Sequence, residues 1–180
     1  NSTINKYFSN KKIINQEDFD NHIISLDDTN NKSNLGSNTT ISLSMAFARA
    51  ISNKNNEPLW KHYSTNRDLY LPLPEIQIFG GGAHANNSID IQDFMIIPIG
   101  AKNYLNALEI CSKVYHSAGK VLDIKNIRSG VADEGGYWPN FKSNEEGFDL
   151  LLQSIEMAGF IPNEDVGISV DVAASEFYIN

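Results

Sequence analysis

The sequence predicts an α/β fold, and three observations carry that expectation. From about residue 67 onward the apolar segments switch period in the order strand, strand, helix, acidic loop, helix, strand. The last helix and strand make a unit that needs more strands beside it. Carboxylates also stand at the ends of apolar segments in three places, IDIQDF, VADEGG and ISVDV, an arrangement that looks like the mouth of a barrel.

Residues 1–35 are polar and rich in asparagine, but Ile13, Phe19, Ile23, Ile24 and Leu26 space out a short amphipathic helix over 17–26. The stretch 30–38, NNKSNLGSN, reads as a loop that caps a helix. In the helix that follows, 39–52, TTISLSMAFARAIS keeps apolar residues on most faces with small residues between them. It is therefore expected to be buried and closely packed. Trp60, Tyr63, Tyr70, Pro72 and Pro74 follow an Asn-Lys loop and mark a linker, which places a domain boundary near residue 66, between 1–66 and 67–180.

Strands are expected at 75–79 (EIQIF) and 94–99 (FMIIPI), the second too continuously apolar for an exposed edge. A sandwich core would read the same way. Leu105, Leu108, Ile110, Cys111, Val114 and Ala118 recur at helical spacing over 103–122. Ser143 and Glu146 form a capping box, in which the hydroxyl accepts from the third amide of the turn while the glutamate reaches back. That box opens a helix through Phe148, Leu151, Leu152 and Ile155 to a stop at Gly159, and Pro162 prevents extension. The run 166–172 is expected as a buried strand.

At 180 residues and 41% hydrophobic content the chain holds one ordinary domain or pieces of two, with enough apolar material for a core. A net charge of -8 without a Lys or Arg cluster argues against a nucleic-acid partner. It leaves room for a small phosphorylated substrate whose charge is met by bound metal. The single Cys111 excludes an intramolecular disulfide and reads as a buried thiol. No run approaches the roughly 18 apolar residues that span a bilayer, so no membrane association is expected. The start, NSTINKYF, has neither a signal-peptide shape nor an initiator Met, which fits a cytoplasmic protein with its beginning removed.

The stretch 80–94, GGGAHANNSIDIQDF, is the centre of the chemistry. Three glycines let backbone pass close to a ligand, and His84, Gln92 and Asp93 then line the same opening. Taken alone, it also reads as a glycine turn between two strands with His84 solvated or satisfied in the core. A second glycine pair with carboxylates follows at 131–139, VADEGGYWP, and Asp171 closes the β-branched run ISVDV.

Taken in order, SLDDTNNKSNLGSNTTISLSMAFARA with EPLWKHY, GGGAHANNSIDIQDFMIIPIGA, GVADEGGYWPN followed by KSNEE, and ISVDVAASEFY resemble the enolase family over nearly the whole chain. The resemblance implies the end of an α+β cap domain, followed by the N-terminal part of a modified (β/α)8 barrel that begins with two strands and two helices. The site would lie where carboxylates at strand ends converge. The implied reaction interconverts 2-phosphoglycerate and phosphoenolpyruvate, with Mg2+ holding the substrate carboxylate and stabilising the enolate.

By the same resemblance Asp171 matches a metal ligand, a hard oxygen donor suited to Mg2+. Glu134 matches the proton donor to the leaving hydroxyl, a role that requires its pKa to be held up by partial burial and nearby negative charge. Asp133 supports the loop, and His84 and Gln92 match substrate contacts. Asp93 stands where the family usually carries a catalytic, substrate-contacting Glu. One methylene shorter, its carboxylate falls about 1.5 Å back unless the backbone moves, and a displacement of that order costs about 100-fold in rate.

That departure, with GGGAHA and the Tyr137-Trp138 pair, points to a divergent paralogue. An enzyme of phosphonate biosynthesis resembling carboxyphosphonoenolpyruvate synthase is the alternative substrate class, and a non-catalytic barrel relic serving as a binding module is the alternative without chemistry. The family's other two metal carboxylates, its lysine base and its phosphate-binding Arg and Ser would lie after Asn180, and its mobile metal-binding loop before Asn1. The 180-residue polypeptide is therefore expected to be inactive alone, a truncated reading of a larger gene, and the full-length protein to be a homodimer.

Overall fold

The computed structural model describes residues 2–64, 68–85 and 89–178. The chain divides into two compact units, Asn1–Leu69 and Tyr70–Asn180.

The described part of the first unit is helical, with α1 at Ser2–Phe8, α2 at Gln16–Asp27, α3 at Ser37–Lys54 and α4 at Leu59–His62. Asn15 opens α2 by accepting the Asp18 amide at 2.8 Å, which satisfies a donor that the first turn leaves without a helical partner. Phe19 of α2 and Phe47 of α3 stack with centroids 4.2 Å apart.

The expected burial of α3 is not what the structure has. Its buried residues are Ala48 and Ser52, while Ile41 is 59% and Met45 49% exposed. The main neighbours of α3 in this unit are α2 and α4, which cover one side of a helix whose apolar residues extend over several.

The loop 28–36 also works differently from expectation. Gly36 precedes α3 without any side-chain cap, and the loop instead folds onto the end of α2. There the fully buried Asp27 carboxylate accepts from the Leu35 amide at 2.7 Å, the Thr29 amide at 3.1 Å and the Thr29 hydroxyl. The Asn34 amide donates to the Asp27 carbonyl at 2.7 Å. Burial by itself raises the Asp27 carboxyl, but the Thr29 hydroxyl, the Leu35 and Thr29 amides and nearby Lys32 together hold it below its ordinary value of 3.8.

The second unit is built on a five-stranded sheet in the order β3-β4-β1-β2-β5, with α5 and α6 packed together against it. β1 is Ile76–Gly80, β2 Asp93–Ile97, α5 Tyr104–Lys125, β3 Arg128–Val131, β4 Tyr137–Pro139, α6 Asn144–Met157 and β5 Gly167–Asp171. The core includes Phe79, Phe94, Ile96, Leu122, Leu151 and Ile155, all at 0% exposure, each side chain contributing about 1.5–3 kcal/mol by leaving water. Cys111 is buried among them, and burial pushes its thiol up.

β2 lies between β1 and β5, as its apolar run requires, and it ends before Pro98, which has no N–H for a ladder. Ser143 caps α6 by accepting the Glu146 amide at 3.3 Å, and the Glu146 carboxylate reaches back to the Lys142 amide at 2.7 Å.

Two expectations are corrected here. The acidic loop is the turn of a hairpin: Val131 and Tyr137 pair across β3 and β4, and 132–136 makes the bend. The Ala132 amide donates to the Gly136 carbonyl at 2.8 Å and the Gly135 amide to the Ala132 carbonyl at 2.9 Å. β5, expected to be buried, is an edge strand. Val166 before it is fully buried, but Val170 is 39% and Val172 41% exposed, because β2 alone pairs with it among the described strands.

Candidate active site

β2 runs antiparallel to both neighbours, so its first residue meets the last residue of each. Asp93 is paired with Gly80 on β1 and with Asp171 on β5. Directly opposed residues of an antiparallel pair share a face. Two carboxylates distant in sequence thereby come together at the sheet end where the glycine loop begins.

Gln92 joins them. Its Nε2 lies 3.3 Å from Asp93 Oδ2 and 3.5 Å from Asp171 Oδ2, and its backbone amide donates to the Asp171 carbonyl at 3.1 Å. Asp171 is exposed, with Oδ1 accepting the Ala173 amide at 2.8 Å. Asp93 is 2% exposed and accepts on Oδ1 from Gln77 Nε2. Gln77 Oε1 in turn accepts the Gly136 amide at 2.7 Å, which links Asp93 to the hairpin turn.

The glycine loop folds back on β2. The Gly81 amide donates to the Gln92 carbonyl at 2.6 Å and the Gly82 amide to the Ile89 carbonyl at 3.0 Å. A Cβ at Gly81 would sit 2.2 Å from the Ile91 carbonyl oxygen, so only glycine allows this approach. Asn144 at the start of α6 holds the other side of the loop, donating to Asp90 Oδ2 at 3.2 Å and accepting the Ile91 amide at 3.3 Å. The backbone of His84 lies in the short helical turn Gly82–Ala85, but its side chain and residues 86–88 are outside the described residues. A cavity of about 280 Å³ opens between this loop and the segment after β5, lined by Gly82, Asp90, Gln92, Ala173, Glu176 and Phe177 among others.

Glu134 is on the hairpin turn and is exposed, as is Asp133, so the expected partial burial of Glu134 is absent. The turn's backbone is held by side chains of β1 and α5. Gly136 binds Gln77, and the Gly135 carbonyl accepts the Tyr115 hydroxyl at 2.9 Å. Gln77 was missed in the sequence, although a polar residue within EIQIF was a signal, because a polar side chain in a buried strand needs partners. Nothing in the sequence pointed to Tyr115, whose ring stacks on that of Tyr137 at 4.4 Å.

Comparison with known proteins gives the same reading at the level of family. Residues 68–180 match the enolase C-terminal TIM barrel domain and residues 1–63 the enolase N-terminal domain. The chain belongs to the enolase family. It is 41% identical over 180 residues to Enolase 1 of Chlorobaculum tepidum, an alignment that covers 100% of this chain and 42% of that relative.

Enolase-family membership implies a metal cofactor, and the donors present fit one in kind but not in number. Asp171 offers an exposed hard oxygen at the mouth of the sheet. Among the described residues no group of three His, Cys, Asp or Glu side chains could hold an ion. The described residues therefore do not by themselves form a metal site. No helix of the described residues is long and apolar enough to cross a membrane.

Proposed function

We propose that this chain supplies part of the active site of an enolase-type lyase, which removes the elements of water from 2-phosphoglycerate to give phosphoenolpyruvate in glycolysis. The observation that supports this reading most is the register that sets Asp93 against Asp171, with Gln92 between them, at the edge of a cavity roofed by the glycine loop. In this reading Glu134 gives a proton to the leaving hydroxyl, and Gln92, Asp93 and His84 contact the substrate. Asp171 is one ligand of Mg2+, which neutralises the substrate carboxylate when bound. The boundary between cap and barrel domains falls near residue 66, and the complete protein is a cytoplasmic homodimer.

A phosphonate substrate is favoured by one observation. The short Asp93 side chain is drawn back into the sheet by Gln77, which leaves more room at the mouth than a glutamate would. The complete gene product that contains this chain, assayed with 2-phosphoglycerate in the presence and absence of Mg2+, decides the matter. Mg2+-dependent formation of phosphoenolpyruvate is expected. Turnover of a phosphonate analogue alone would move the assignment to the alternative, and no turnover of either would refute the lyase reading.

A further inference from the structure

Gln77 is a buried amide, 7% exposed, in the strand next to the one that begins with Asp93. It makes two contacts in opposite senses: Nε2 donates to Asp93 Oδ1, and Oε1 accepts the Gly136 amide at 2.7 Å. A backbone N–H can only donate, so the Gly136 contact fixes which way the amide points and turns Nε2 toward Asp93. The close approach is built in, because a Cβ at Gly136 would lie 2.6 Å from Gln77 Oε1. From the other side the Tyr115 hydroxyl holds the Gly135 carbonyl at 2.9 Å. The turn bearing Glu134 is thus gripped by α5 and by β1, and the β1 grip continues directly to Asp93.

We propose that Gln77 is a positioning residue that couples the Asp93 carboxylate to the turn carrying Glu134, its length matched to the short Asp93 side chain. Asparagine at 77 would fall one methylene short of reaching both partners, about 1.5 Å. The catalytic consequence rests on the lyase reading above. The coupling itself does not.

The coupling is tested in the 180-residue chain by NMR of the Gly136 amide. Gln77→Leu is expected to speed Gly136 hydrogen exchange by about tenfold or more, in line with the loss of one buried hydrogen bond. Asp93→Ala is expected to shift the Gly136 resonance when Gln77 is present and not in the Gln77→Leu background. A Gly136 resonance indifferent to Asp93, or equally sensitive without Gln77, overturns the proposal. Where Gln77→Leu does not fold, Gln77→Asn takes its place. Its shortened amide is expected to release Gly136 and speed its exchange as the leucine does, and unchanged Gly136 protection overturns the proposal.

In the complete gene product, Gln77→Asn is expected to lower kcat by ~10 to 100-fold with KM within about threefold. A change in KM alone overturns the positioning role. Absence of turnover in the unmodified gene product refutes the lyase reading instead, and the Gly136 amide then decides the coupling by itself.

Discussion

Gly81→Ala puts a methyl group where the backbone leading into β2 already is. Its Cβ would lie 2.2 Å from the Ile91 carbonyl oxygen and 2.8 Å from Ile89 Cγ1. Carbon and carbonyl oxygen approach comfortably at roughly 3.3 Å, so the two segments must separate by about 1 Å. The Ile91 oxygen belongs to backbone and cannot swing aside. The separation stretches both hydrogen bonds that close the loop, Gly81 to Gln92 and Gly82 to Ile89, at about 1 kcal/mol each, for a loss near 2 kcal/mol.

Gln92 moves with the loop, and a misplacement of about 1 Å costs on the order of 100-fold in rate, equivalent to about 2.7 kcal/mol in the barrier. Two measurements check this: kcat/KM of the complete gene product, and hydrogen exchange at the Gly81 and Gly82 amides of the chain. A variant within threefold of the parent rate, with both amides still protected, would refute the argument that this loop sets the position of Gln92.

Three further outcomes are expected. Asp27→Asn removes a carboxylate whose folded pKa is depressed, so the stabilisation it loses is fully present above the ordinary value of 3.8 and fades as pH falls through the lower folded value. The difference in Leu35 amide protection between parent and variant should therefore close in that acid window, and a difference independent of pH would contradict it. Tyr115→Phe removes one hydroxyl donor from an exposed turn and should cost about 0.5–1 kcal/mol in urea denaturation, whereas a loss above about 2 kcal/mol would mean that the hydroxyl does more than hold Gly135. Cys111, buried and with its thiol pushed up, should resist a thiol reagent until the chain is unfolded, and rapid labelling of the native chain would count against the packing of α5.

The elements that sequence showed clearly are those with long, uninterrupted patterns. The 22 residues of α5 and the capped 14 residues of α6 carry several helical turns of apolar spacing, and β2, a strand paired on both sides, is continuously apolar after Asp93. The hairpin was hidden because its strands have four and three residues, too few for alternation to rise above chance. Burial misled in α3 and β5 for a common reason. Apolar composition records what a segment is able to bury, while actual burial depends on which neighbours reach it. At the site, the ionisable residues and glycines were visible as residue types, but the pairing of Asp93 with Asp171 is a matter of register, which a single strand's sequence does not contain.

That register also explains why the site cannot be separated from the fold. Asp93 and Gln77 are polar groups held at 2% and 7% exposure, and each helps to satisfy the other there, with Gly136 on Gln77 and Gln92 on Asp93. Deleting one member removes a hydrogen bond from a buried partner, at a cost of about 1–3 kcal/mol, so variants at Asp93 and Gln77 should be non-additive in stability. A double variant with apolar residues at both positions should therefore cost less than the sum of the singles. Simple additivity in that cycle would mean that the two side chains are satisfied independently, and that the glycine loop, β2 and the acidic turn respond to substitution as separate parts.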